Sequence, residues 1–455
     1  MAGGMPRPKE SREHTDSDRP AITLGFRRPP IALQKSEPST QTSATGKQNP
    51  TQERELTAID TLFTHALLDD GMSSDIAVSK GRIVAIAASG SLGASATETV
   101  DLGGALVVPG FVEGHIHLDT SFYGGPWISH KPCTDGFDVH ERVAFQHQNL
   151  AIAEPMGVRA RKQLELAIGN GATAMRSHVM VDGSVGLKHL VEILKVREAY
   201  AGLIDIQLVA FPQNGILKSP GTPDLMDEAI AMGADVVGGL DPASFDRDLN
   251  GHLDVIFDIA ERRGVDIDIH LHDGGTLGQF TIEEICARTR SRSMEGHVAI
   301  SHAYGLGDLP LEAARRAGSL LAECGVSIMT NAPGNHAFPP VALLRAAGVN
   351  VFSGSDNIRD SWWPYGDGDM LSRAMLIGYR SGFYTDEELR AAFDVVTTAG
   401  AKALRLADYG VAVGAKADFV TLQAAHVPEA VVSVPKQRKV FKAGRLVAED
   451  GRVLR

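Results

Sequence analysis

Eight times between residues 105 and 357, a short apolar run gives way to an amphipathic stretch. The runs are ALVVPGFVEGHIHL (105–118), ATAMRSHVMV (172–181), DIQLVAFPQ (205–213) and DVVGGLDP (235–242). They continue as DIDIHLHD (266–273), HVAISHAY (297–304), VSIMTN (326–331) and VNVFSGSDN (349–357). Each has the length and near-continuous apolarity of a strand buried on both faces. The stretches between, such as VRARKQLELAIGNG and LDVIFDIAERRG, carry apolar residues at helical spacing and end in glycine, as helix C-termini do. Eight buried strands alternating with helices predict an α/β fold, a closed TIM-type (β/α)8 barrel, in preference to an open sheet. The long connection over residues 119–155 is expected to be a loop over the barrel mouth.

Both ends of the chain read differently, as short strands with turns. KGRIVAI (80–86) and AGRLVAE (443–449) each place a glycine turn before a β-branched run, a hairpin signal. Residues 56–108 and 411–455 are therefore expected to pair into one small β-sandwich domain, interrupted by the barrel over 109–410. Residues 1–55, rich in Pro, Ser, Thr, Gln and charge, are expected to be a disordered tail, since they bury too little to offset ordering entropy. Arg27-Arg28 there is not followed by the apolar segment an export signal needs. A net charge of −12 argues against nucleic acid and anionic membrane as partners. No run approaches the roughly 18–20 apolar residues of a membrane helix. Cys133, Cys286 and Cys324 form no CxxC pair, which argues against a disulfide framework or a thiolate zinc site and makes a reducing cytoplasm the expected compartment.

Barrels of this kind gather their chemistry at the C-terminal ends of the strands. The first run ends in His115 and His117, which share one face because strand residues i and i+2 do. The other ends carry His178, Gln213, Asp241, the group His270, His272 and Asp273, then His302, Asn331, and finally Asp356 with Asn357. Six histidines and a carboxylate on one rim make a borderline-soft donor set for one divalent cation, zinc or iron(II). His272 has the parity of His270 and faces the same interior. Gln213 and His178 read either as substrate contacts or as buried hydrogen-bonding groups, and Asp241 as a cap for the next helix. SWWPYG (361–366), with Trp362, is either a packing cluster or a flat wall for a ring. His130, His140, His147, His252, His297 and His336 are assigned to surface or packing.

PGFVEGHIHLD, DIHLHD, ISHAY, SGSDN and the late GAKADFVTL together resemble the amidohydrolase superfamily, in its cytosine-deaminase-like branch, from about Leu56 to the C-terminus. VAFPQNGI, GGLDPAS, DIDIHLHDGGTLG and SDNIRDSWWPYGDGDM are most similar to the s-triazine aminohydrolases of that branch. The resemblance implies His115, His117, His270 and Asp356 as metal ligands and His302 as a proton-handling histidine. Asp273 stands where cytosine deaminases have a glutamate, His272 where they have an acid, and Asn357 where they have a second aspartate. No lysine ends the third or fourth run, which implies one ion and not a bridged pair. The implied reaction is hydrolysis of an exocyclic C–N bond on a nitrogen heterocycle such as a pyrimidine or s-triazine, releasing ammonia or an amine. Asp356, His302, Asp273 and His272 would be catalytic; Gln213, His178, Asn357 and Trp362 would contact substrate. The alternatives are hydrolysis of a cyclic or linear amide and, further off, a barrel serving as a non-catalytic scaffold. The expected partner is a small heterocycle, with a homo-oligomer possible by family analogy.

Overall fold

The computed structural model describes residues 59–454 apart from 94, 137 and 335. The expected disordered tail, residues 1–55, lies outside the described residues. All eight apolar runs contain a strand: Phe111–Ile116, Ala172–Met180, Asp205–Phe211, Val236–Leu240, Asp266–Leu271, Val298–His302, Ser327–Met329 and Val351–Phe352. They are called barrel strands one to eight below. Each pairs with the next in parallel. Strand eight returns to strand one through Gly114 N–H to Ser353 O at 3.1 Å and Asp356 N–H to His115 O at 2.7 Å, which closes the barrel. Closure brings the two backbones unusually near. A Cβ on Gly354 would stand 2.4 Å from both N and O of His115, and one on Gly114 would stand 2.5 Å from Ser353 O. Only glycine fits either place, which is the physical reason for the glycines in GFVEGHIH and FSGSD.

The run at 105–118 is two strands, not one. Leu106–Pro109 pairs antiparallel with Phe419–Leu422 in a second sheet, and Phe111–Ile116 belongs to the barrel. The chain crosses between the sheets at Gly110, whose N–H donates to Asp418 O. Both halves are buried, so apolarity alone could not show the break. The second sheet joins both chain ends in nine strands of mixed direction. Two of its hairpins turn at Lys80-Gly81 and Ala443-Gly444, with φ of 50° and 73°, then 49° and 77°. Two consecutive positive φ values are the type I′ geometry that the twist of paired strands favours. Phe63, Phe419 and Phe441 pack at the centre with ring separations of 4.8–5.0 Å, so residues more than 350 positions apart share one core.

The connection after strand one is not all loop. It holds the helix Val139–Leu150, started by Asp138, whose carboxylate accepts from Glu141 N. No helix among the described residues is long and apolar enough to cross a membrane.

Candidate active site

Strand one carries His115 and His117 to the mouth, strand five carries His270, and the turn after strand eight carries Asp356. Their donor atoms converge. Asp356 Oδ1 is 3.6 Å from His115 Nε2 and 3.4 Å from His117 Nε2, and His117 Nε2 is 3.4 Å from His270 Nε2. Nitrogen and oxygen donors held about 2.0–2.1 Å from one tetrahedral ion stand about 3.4 Å apart. His115 Nε2 is buried and has no hydrogen-bond partner. The donor atoms of His115, His117 and Asp356 lie within 4.8 Å of one another, one of them orphaned, and His270 joins them through His117 Nε2; such a set fits a single divalent cation. Burial first, then the neighbouring imidazoles, hold His115 and His270 well below the usual histidine range. They are therefore neutral, the form that ligates. For His117 burial is outweighed by the Asp356 carboxylate, which raises it.

The second carboxylate oxygen of Asp356 faces away from these imidazoles. Oδ2 accepts from Asn331 Nδ2 at 2.8 Å and lies 4.0 Å from His302 Nδ1. Burial pushes His302 down to about 3, against the pull of Asp356. His272 is held by Asp241 twice, backbone N–H to Oδ1 at 2.6 Å and Nδ1 to Oδ2 at 2.8 Å. Burial would lower His272, but the Asp241 carboxylate more than offsets this. Asp241, His302 and Asp356 all have positive φ, of 37°, 72° and 58°. This region is uncommon outside glycine, and strain of this kind concentrates at functional sites. Three of the strand-end residues are thus bent out of extended geometry toward one space.

That space is a pair of cavities. The inner one, about 20 Å³, is lined by His117, Gln213, His270, His302, Asp356 and Trp362, with Thr120, Gln146, Phe211, Leu240, His272 and Asn357. The outer one, about 300 Å³, shares His272, Asp356, Asn357 and Trp362 with it and adds Arg142, Tyr304, Asn331 and His336 among its walls. The rings of His272 and Trp362 are within 16° of parallel with centroids 6.3 Å apart. Trp362 is fixed by its Nε1–H to Gln146 Oε1 at 2.7 Å.

The structure brings His117, Gln213, His270, His272, His302, Asp356, Asn357 and Trp362 around these cavities, with His115 buried behind them in the donor cluster. Two others line neither cavity. His178 is fully buried and stacked on His115 at 3.8 Å, with a ring nitrogen within 4.8 Å of donor atoms of His115 and His270, so its position places it beside the donor cluster and does not support a substrate contact. Asp273 also lines neither cavity, and its Oδ2 is buried without a hydrogen-bond partner; its assignment to the reaction is not supported by where it sits. Asp241 is not a helix cap: the following helix, Leu249–Arg263, is capped by Asp248. His336, assigned to surface or packing, instead walls the outer cavity with its ring stacked on Tyr304 at 5.3 Å. It lies on an irregular loop, where no periodicity could mark it. Gln146 was hidden in the connection read as loop.

A closed parallel barrel with such a donor set at its mouth is the frame of a metal-dependent barrel hydrolase. Residues 98–448 match the model described as "Amidohydrolase family", and the chain belongs to that family, whose close relatives act on carbon–nitrogen bonds. It is 32% identical over 387 residues to N-isopropylammelide isopropyl amidohydrolase of Pseudomonas sp. (strain ADP), covering 83% of this chain and 94% of that one. The crystal structure of N-isopropylammelide isopropylaminohydrolase from Burkholderia multivorans ATCC 17616 superposes with a TM-score of 0.82. It is 38% identical over 87% of this chain and 99% of that one. The 5-methylcytosine deaminase of Klebsiella pneumoniae, liganded with 5-fluorocytosine, gives a TM-score of 0.75 at 28% identity, covering 87% and 98%.

Proposed function

We propose that this chain hydrolyses the bond between a nitrogen heterocycle and an exocyclic amino or alkylamino group, releasing ammonia or an amine. The ring is an s-triazine or a pyrimidine. One divalent ion, zinc or iron(II), would be held by His115, His117, His270 and Asp356. The observation that carries this reading is the meeting of Asp356, His302, His272 and Gln213 in one cavity walled by Trp362 and Phe211. When bound, the ion supplies Lewis acidity and makes water nucleophilic near neutral pH. Asp356 divides its two oxygens, Oδ1 toward the ligand cluster and Oδ2 toward His302, so Oδ2 is placed to take the proton of the attacking water. His302, kept neutral by burial and 4.0 Å from Asp356 Oδ2, is placed to hydrogen-bond the attacking water. His272, fixed by Asp241, and the Gln213 amide offer donors where negative charge grows on the ring. The near-parallel His272 and Trp362 rings suit a flat substrate entering from the outer cavity. Cys133, Cys286 and Cys324 are all free thiols, which suits a reducing compartment such as the cytoplasm.

Ammonia and amine release from alkylamino-s-triazines, aminopyrimidines and hydantoins, with zinc- or iron(II)-loaded protein, tests this reading. The alkylamino-s-triazines are expected to give the highest kcat/KM, since the relatives named for that chemistry are the more identical ones. Turnover of hydantoins alone would move the chain to amide hydrolysis, and no turnover by loaded protein would end the proposal. His272→Ala is expected to retain the metal and lower kcat by roughly 10²–10³, the usual cost of losing one charge-stabilising donor. An unchanged kcat would remove His272 from the reaction.

A further inference from the structure

Beneath the rim lies a chain of buried polar groups that touches neither cavity. Arg176, on strand two, donates from Nη1 to Asp268 Oδ2 at 2.9 Å. Its other bonds go to the neutral Gln207 Oε1 and Ala403 O, so Asp268 is its counter-charge. Asp268, on strand five, accepts through Oδ1 from the Ser301 hydroxyl at 2.6 Å. Ser301 Oγ, on strand six, is 2.9 Å from His115 Nδ1. All four side chains are 1% exposed or less. A serine hydroxyl has one proton. Ser301 spends it on Asp268, so toward His115 the oxygen can only accept, and Nδ1 must carry the imidazole proton. Nε2 is then a bare lone pair, and it is the orphaned atom that faces Asp356.

We infer that Arg176, Asp268 and Ser301 are positioning residues that lock His115 in the tautomer able to bind the ion. The inference rests on the metal site of the proposed function. Partners behind a metal ligand set its tautomer and orientation, and removing one typically costs about 10–100-fold in affinity. Here the direction of each hydrogen bond gives a sharper expectation. Asp268→Asn keeps the shape but reverses the chain. Its amide oxygen stays on Arg176, its Nδ2 donates to Ser301, and Ser301 turns its proton on His115 Nδ1. The imidazole proton is forced onto Nε2, where it blocks the ion. Ser301→Ala only leaves Nδ1 without an acceptor, so the tautomer is unbiased rather than wrong.

The test is the zinc dissociation constant of the full chain, by chelator competition at one fixed pH, with the melting temperature of each metal-free variant alongside. Ser301→Ala is expected to weaken zinc about 10-fold and Asp268→Asn about 100-fold. The double variant should bind more tightly than Asp268→Asn alone, because it removes the misdirected hydroxyl. A purely structural role makes the double variant at least as weak as the worse single one, and that result overturns the relay. So do single variants that bind as tightly as the parent chain. If Asp268→Asn fails to fold with Arg176 left unpaired, Ser301→Ala with unchanged zinc affinity still refutes it. A parent chain that takes up no zinc or iron(II) overturns the metal site itself, a distinguishable failure.

Discussion

His270→Ala is expected to leave a folded protein that retains no stoichiometric metal after dialysis and turns over at least about 10³-fold more slowly, since the metal step supplies the nucleophile. The reason lies in where the four donors come from. His115, His117 and Asp356 belong to strand one and the turn after strand eight, which are neighbours at the closure. His270 reaches the same point from strand five, across the barrel, and its Nε2 is 3.4 Å from that of His117. Without it the remaining donors lie on one side of the ion. The fold should tolerate the loss, because the imidazole is already held neutral by burial and no ion pair is broken. Phe211, stacked on His270 at 4.1 Å, can settle into part of the gap. Metal analysis and circular dichroism of the same sample decide the matter. Full metal occupancy with full activity would falsify the ligand assignment, whereas a collapsed spectrum would point to a structural role instead.

Period-2 reading made much of this site legible. His115 and His117 share a face, and Asp268, His270 and His272 share another, all pointing inward from one strand and its end. Followed strictly, the same parity puts Asp273 on the opposite side. The residue is assigned to the reaction through resemblance, and the structure places it outside both cavities. Asp268 was equally visible by parity but lacked a reason to be noticed. Its partners Arg176 and Ser301 are 92 and 33 positions away; Ser301 comes from the adjacent strand six and Arg176 from strand two. Asp241 and His272 are joined across 31 residues in the same way. Side-chain direction is local and readable, while pairing between strands depends on tilt and register that apolar runs do not encode. The break at Gly110 was unreadable for a related reason, because both sheets bury their strands there.

Gly354→Ala should be strongly destabilising. The new Cβ would sit 2.4 Å from N and O of His115 and 2.7 Å from its Cα. These are backbone atoms, so no side chain can rotate away, and strand one or strand eight has to move. Both are committed on each side. Asp356 N–H donates to His115 O at 2.7 Å, and Glu113 Oε1 accepts from Ser355 N at 2.6 Å across the same seam. Separating the strands therefore breaks closure and pulls Asp356 from His115 and His117 together. Overpacking a well-filled interior costs about 1–3 kcal/mol and sometimes more. Backbone against backbone places this case at the upper end, with zinc affinity falling alongside stability. Gly334→Ala is the matched control, since it lies near the same mouth and its Cβ would meet nothing within 4 Å. The expected result is a clear drop in melting temperature and metal content for Gly354→Ala, with Gly334→Ala close to the parent chain. Equal behaviour of the two variants would mean that strands one and eight are not held at this distance. The donor cluster would then need another source of rigidity, because the 3.4–3.6 Å spacing of Asp356 from two histidines is set by that seam.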